Sequence, residues 1–281
     1  MHTMDSLWSR MVFYMKIVVT TACFVWYPAA AHSDSELLSQ GKEAARTVTR
    51  DCIRIISSPF RLSRETLPEA AAVTGLILAS SSLDREGRDR LEGWDSQDIG
   101  RIHDIVEPFG RVRSIYGLGA VIVLGGYTSG RAPTIRCGLE CIEAGFVTTQ
   151  LTVFLKHATG RLRPGATSEP YRFHPFRKGN AFPSSHAVQA FAAASVLTEY
   201  TPFPADCILF AVASTVAVFD LSENRHWVSD VTAGAFLGII VGKTLVRGHE
   251  TSSHRSTSGR LRVNWGMDSG ETDRILLTCS F

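Results

Sequence analysis

The chain has 281 residues, 44% of them hydrophobic, which is enough to bury one large core or two small ones and excludes disorder over most of its length. Its 29 Lys and Arg stand against 27 Asp and Glu, a formal charge of +2, with no long basic run of the kind that tracks a nucleic-acid backbone. No nucleic-acid partner is expected.

The N-terminus orders Arg10 and Lys16, the apolar stretch IVVTTACFVWYP, and Ala29, Ala30 and Ala31 before the polar HSDSE. That is the order of a secretory signal peptide over residues 1–31, cut before His32, with Met11 or Met15 as alternative starts. The competing reading, an uncleaved anchor, is weakened because the apolar stretch falls short of the ~20 residues a span needs. Either way the body of the protein is exported. Residues 32–65 form an amphipathic segment: Leu37, Leu38, Ala45, Val48, Cys52, Ile55 and Ile56 share one stripe of a helix over 34–57, and Pro59 ends the pattern.

Six apolar runs follow: AAAVTGLILASSSL, IYGLGAVIVLGGY, AGFVTTQLTVFL, AVQAFAAASVL, CILFAVASTVAVF and VTAGAFLGIIVG. They are rich in Ala, Gly and Leu and lack period-2 alternation, so each reads as a helix. The expected fold is all-α, a bundle of about six core helices over residues 66–247, followed by a polar, partly disordered tail over 248–281. A charged connector between the first two runs holds a further helix that stops near Pro108. No run reaches ~18 uninterrupted apolar residues, and hydropathy alone leaves a membrane bundle and a soluble bundle equally open. Cys137 and Cys141 lie one helical turn apart without a CxxC pair or a histidine at ligand spacing, which favours buried small hydrophobes over a zinc site.

Three stretches carry chemistry. FVTTQLTVFLKHATGRLRPG gathers Lys156, His157, Arg161 and Arg163 where Pro164 forces the chain out of helix. For each cation alone the plainer explanation is favourable charge at a helix C-terminus; several converging on one point make an anion site. Pro183-Ser184-Ser185-His186 opens an apolar helix, where hydroxyls and free N–H groups can cradle an anion, or where Ser184 is simply an N-cap. In FDLSENRHWVSD, His226 and Asp230 are four residues apart, a spacing that lets the carboxylate hold one ring nitrogen or that makes only a surface ion pair.

In order and spacing these stretches resemble the type 2 phosphatidic acid phosphatase superfamily, which also includes bacterial acid phosphatases and vanadium haloperoxidases. Its motif KxxxxxxRP is met by KHATGRLRP, its PSGH by PSSH, and the final His and Asp of its SRxxxxxHxxxD by His226 and Asp230. SPFRLS, LDREGRD and DIVEPFG further resemble segments of bacterial membrane-associated members. The resemblance implies a reaction without metal or cofactor: His226 attacks phosphorus, Asp230 orients it, and His186 protonates the leaving oxygen. Lys156, Arg163, Ser184 and the backbone at Ser185 hold the phosphate, and water hydrolyses the phosphohistidine. It also implies a lipid phosphomonoester or pyrophosphate substrate, such as phosphatidic acid, phosphatidylglycerol phosphate or a polyprenyl pyrophosphate, and a place in the bacterial inner membrane with the site facing the periplasm. A soluble periplasmic phosphatase is the alternative location; nothing favours a vanadate peroxidase, and no oligomeric state is implied.

Two positions depart from the pattern. Ser185 stands where the family has glycine, a tolerable change because serine is small. Asp220 stands where the family has its phosphate-binding arginine, and Phe219 where it has serine. A carboxylate about 5 Å from a phosphate oxygen, at an effective dielectric of about 20, costs roughly 3 kcal/mol. Arg225 and Arg161 are possible substitutes, and Asp220 pairing with Lys156 or Arg163 is a way the site could be quenched. The rival to an active enzyme is therefore a weakened or inactive homologue that binds lipid phosphate or serves as a structural membrane protein. The basic loop with Arg172, His174, Arg177 and Lys178 is either a head-group contact or a solvated loop.

Overall fold

A computed structural model describes residues 66–91, 97–177 and 179–258. The expected signal peptide, the amphipathic segment and the last part of the polar tail lie outside them. The described residues form α1 (Leu67–Ser81), α2 (Asp84–Leu91), α3 (Gln97–Val106), a 3-10 turn (Glu107–Gly110), α4 (Val112–Ser129), α5 (Ala132–Thr159), a second 3-10 turn (Pro164–Ala166), α6 (Ser185–Thr198), α7 (Ala205–Ser222) and α8 (Val228–Ser258). All six apolar runs are helices, α1 and α4 to α8, and the all-α expectation holds among the described residues. The charged connector holds two helices rather than one, and α3 stops at Val106, ahead of Pro108. α8 runs on to Ser258, into the segment read as tail.

The Ala-rich α6 is the centre of the bundle. It packs on α8, α7 and α5, while α4 pairs with α5 and α1 leans on α8. Ala187, Ala190, Ala192, Ala193 and Ala194 are all buried, and their small side chains let neighbouring backbones come close. α8 meets this surface with Gly234, Gly238 and Gly242, spaced one turn apart. A Cβ at Gly238 would fall 2.5 Å from the Val188 carbonyl oxygen and 2.8 Å from the Ala192 nitrogen, both backbone atoms that cannot step aside. Gly238→Ala is therefore expected to destabilise the fold by ~1–3 kcal/mol. Gly75→Ala, on α1 where nothing lies within 4 Å, is expected to be neutral or stabilising by up to ~1 kcal/mol. Thermal unfolding of the two variants in parallel checks the pair; equal midpoints would refute the close packing of α6 on α8.

Several polar side chains inside the bundle join its helices. Gln189 donates to Thr149 Oγ1 at 2.8 Å and to the Gly145 carbonyl at 3.2 Å, joining α6 to α5. Glu140, fully enclosed, accepts from Arg136 Nε at 2.9 Å and from the Tyr200 hydroxyl at 2.8 Å. Cys137 and Cys141 are buried in the apolar core between α5, α6 and α8, the role expected for them.

Candidate active site

The three motif stretches reach one place because α5, α6, α7 and α8 end or begin there. Lys156 is in the last turn of α5, and Arg161 and Arg163 are in the chain just beyond it. Ser184 caps α6, accepting from the Ala187 N–H at 3.2 Å, and Ser185 and His186 are its first two residues. Asp220 is in the last turn of α7, His226 in the following turn, and Asp230 in the first turn of α8. The third motif thus bridges two helices, and His226 precedes α8 rather than sharing a continuous helix with Asp230.

Backbone and side-chain bonds tie the stretches together. The Ala181 N–H donates to the Arg161 carbonyl at 3.0 Å, and the Ser184 N–H donates to the Asp230 carbonyl at 3.0 Å. His226 is buried, and its Nδ1–H donates to the Ala181 carbonyl at 2.6 Å. The same nitrogen lies 3.8 Å from Asp230 Oδ2, so the expected orientation by Asp230 falls chiefly to a backbone carbonyl. That bond fixes the tautomer and leaves the Nε2 lone pair free to act as a nucleophile.

Asp230 is occupied elsewhere. Its Oδ1 accepts from Arg161 Nη1 at 2.6 Å, and its Oδ2 accepts from the Trp227 N–H at 2.9 Å. Arg161 is 3% exposed and also reaches Asp84 Oδ2 at 2.6 Å, Ser229 Oγ at 2.7 Å and the Pro170 carbonyl at 2.8 Å. Its guanidinium lies over the Trp227 and Phe173 rings, 5.7 and 5.5 Å from their centroids. Asp84 additionally accepts from the Ser229 N–H and hydroxyl, both at 2.8 Å. Arg161 is thus committed to two buried carboxylates and is no substitute for the missing phosphate arginine. Arg225 is no substitute either: it pairs with Glu223 at 2.8 Å and approaches Glu107 at 3.7 Å.

Asp220 does not contact Lys156 or Arg163. Its Oδ1 accepts from His186 Nδ1 at 3.1 Å, and its Oδ2 accepts a short hydrogen bond from Ser184 Oγ. Lys156 donates to the Asn180 carbonyl. Burial, and then the neighbouring Arg163 charge, push Lys156 down to about 8, against the opposing pull of Asp230 and Asp220. Arg163 makes no ion pair among the described residues, and its Nε is buried without a partner there. Lys156 and Arg163 are therefore the cations left for an anion. Glu107, on the 3-10 turn, closes another side. Burial raises its carboxyl, but its bond and charge contact with Arg111, and the charges of His186 and His103, hold it below the ordinary value.

Sequence reasoning passed over Asp84, Glu107, Ser229 and the Ala181 carbonyl. Asp84 and Glu107 belong to LDREGRD and DIVEPFG, two stretches that carried the resemblance upstream, and that was the available signal. Nothing in the sequence shows that Asp84 is fully buried, and a backbone carbonyl leaves no mark in a sequence at all.

Residues 139–253 match the family model described as PAP2 superfamily. The Lipid A 1-phosphatase of Porphyromonas gingivalis is 37% identical over 91 residues, 31% of this chain and 18% of that protein, so the chain spans under a fifth of its length. A crystal structure of Aquifex aeolicus LpxE is similar with a TM-score of 0.47 and 20% identity, covering 59% of this chain and 95% of that one. Lys156, Arg163, Ser184, His186, His226 and Asp230 all fall within the matched span of residues 139–253.

Proposed function

We propose that the protein is a lipid phosphatase that hydrolyses a phosphomonoester or pyrophosphate through a phosphohistidine on His226. The observation that carries this reading is the convergence of three motifs, hydrogen-bonded to one another, around a buried histidine whose Nδ1 is held and whose Nε2 is free. Lys156 and Arg163 hold the phosphate oxygens with the backbone N–H groups at the α6 N-terminus, the Ser184 hydroxyl, expected to join them, being committed to Asp220. His226 Nε2 attacks in line, the bond to the leaving oxygen breaks, and His186 supplies that oxygen's proton. Water, deprotonated by His186, then displaces the imidazole and releases phosphate.

The relative named Lipid A 1-phosphatase supports lipid A as a further candidate substrate, beside phosphatidic acid, phosphatidylglycerol phosphate and polyprenyl pyrophosphate. Among the described residues, two helices are long and apolar enough to cross a membrane by length and composition, Ala205–Ser222 and Val228–Gly248. Large apolar side chains stand exposed on α4 (Val121, Leu124), α7 (Ile208) and α8 (Ile240), which supports a bundle embedded in the inner membrane with its site toward the periplasm. Extraction that needs detergent supports the embedding; release by salt or osmotic shock favours a soluble periplasmic enzyme.

A second reading, a weakened or inactive homologue that binds lipid phosphate, rests on Asp220 in place of the arginine. Phosphate release from mixed micelles of each lipid class separates the two. Release by the wild type from at least one class is expected. Release only after Asp220→Arg would favour the second reading, and none from either protein would overturn the phosphatase.

A further inference from the structure

We propose that Asp220 is a positioning residue, a carboxylate that holds the His186 ring by Nδ1 and leaves its Nε2 for the leaving oxygen. This deepens the phosphatase reading and rests on it for the catalytic consequence.

Asp220 is 3% exposed, and a carboxylate in that position must be paired. Both its oxygens are taken by the second motif, Oδ1 by His186 and Oδ2 by Ser184. It therefore does not point unpaired at the anion, as a plain reversal of charge at the arginine position implies. With Nδ1 bound to Asp220, Nε2 is the ring nitrogen left for the leaving oxygen.

The ring is also confined from the other side. A Cβ at Gly110 would lie 2.7 Å from His186 Cβ and 2.9 Å from its Cδ2, so the 3-10 turn already sits against the histidine. Two elements, α7 and the 3-10 turn, thus fix one imidazole.

Charged groups from several elements surround His186. Asp220 faces it from α7, and Glu107 from the 3-10 turn feels its charge. His226, from the turn before α8, bears on Asp220 but donates to Ala181. From α8 comes Asp230, engaged by Arg161 and Trp227, and from the end of α5 Lys156, bonded to Asn180. Arg111 and His103 bear on Glu107, and Arg163 bears on Lys156.

The test reads the ring proton of His186 in the full chain, labelled with 15N at histidine, in detergent micelles, with His186→Gln used only to assign the resonances. A proton bonded to Asp220 is expected on Nδ1 in the wild type and should redistribute toward Nε2 in Asp220→Ala. Phosphate release by Asp220→Asn should lose about tenfold in kcat with KM changed by less than about twofold. A His186 Nδ1 signal that is the same in the wild type and in a folded Asp220→Ala overturns the inference whatever the activity. So does faster release by Asp220→Arg than by wild type. Should the redistribution appear while the wild type releases no phosphate, the Asp220–His186 pair stands and the phosphatase reading falls.

Discussion

His226→Gln is expected to lower phosphate release by at least about a thousandfold while leaving the fold intact, because it removes the atom proposed to form the covalent bond. The wild-type imidazole is pre-set for attack: Nδ1–H is committed to the Ala181 carbonyl at 2.6 Å, which keeps the lone pair on Nε2. Glutamine can keep a donor near that carbonyl but supplies no nucleophilic nitrogen. Acid- and base-quench trapping with a 32P-labelled lipid gives a second readout. A phosphoenzyme that survives base and is lost in acid should form in the wild type and be absent from the variant. Retained release in His226→Gln, with no change in the trapped species, would transfer the nucleophile to another group.

Arg161→Met is expected to destabilise the protein by ~3–5 kcal/mol, because it strands two buried carboxylates without their counter-charge. Asp84 and Asp230 both have side-chain exposures of 0%, and Arg161 bonds one oxygen of each at 2.6 Å. For a domain of this size that corresponds to a fall of about 10 °C in unfolding midpoint. Arg161→Lys should recover little, since one ammonium cannot reproduce a fork that meets Asp84, Asp230, Ser229 and Pro170 together. Combining Arg161→Met with Asp84→Asn should restore part of the loss, and a double-mutant cycle on midpoints measures the coupling. Additive losses would show that the pair is not a unit. The same network explains why Asp230 is a poor single-site test of catalysis: removing it frees Arg161 and the Trp227 N–H as well as the neighbour of His226.

The helices were legible from the sequence because each apolar run is long, lacks alternation and is punctuated by Pro, Gly or charge. The site was legible at the level of motif for a different reason. Three stretches resemble a phosphatase family's motifs, and that resemblance singles out Lys156, Arg163, Ser184, His186 and His226 as candidates by residue type and order. Partnerships were not legible. The spacing of His226 and Asp230 suggested a bond along one helix, yet α7 ends at Ser222 and α8 begins at Val228, so the histidine sits in a turn and finds Ala181 instead. Arg161 and Arg163 flank one leucine in the same motif and have opposite fates, one locked between carboxylates and one without an ion-pair partner among the described residues. No local pattern distinguishes them, because the difference depends on Asp84, 77 positions away.

What the sequence by itself determined is the all-helical character and the inventory of reactive groups, since periodicity, helix punctuation and residue chemistry are local properties. Only the tertiary structure decided which charge meets which. A buried ionic group must find its counterpart across the fold, and that need sends Arg161 to Asp84 and Asp230, and Asp220 to Ser184 and His186. Asp220, by sequence an acid where a cation belongs, is in the folded chain a carboxylate whose oxygens are both engaged, because the start of α6 lies beside the end of α7.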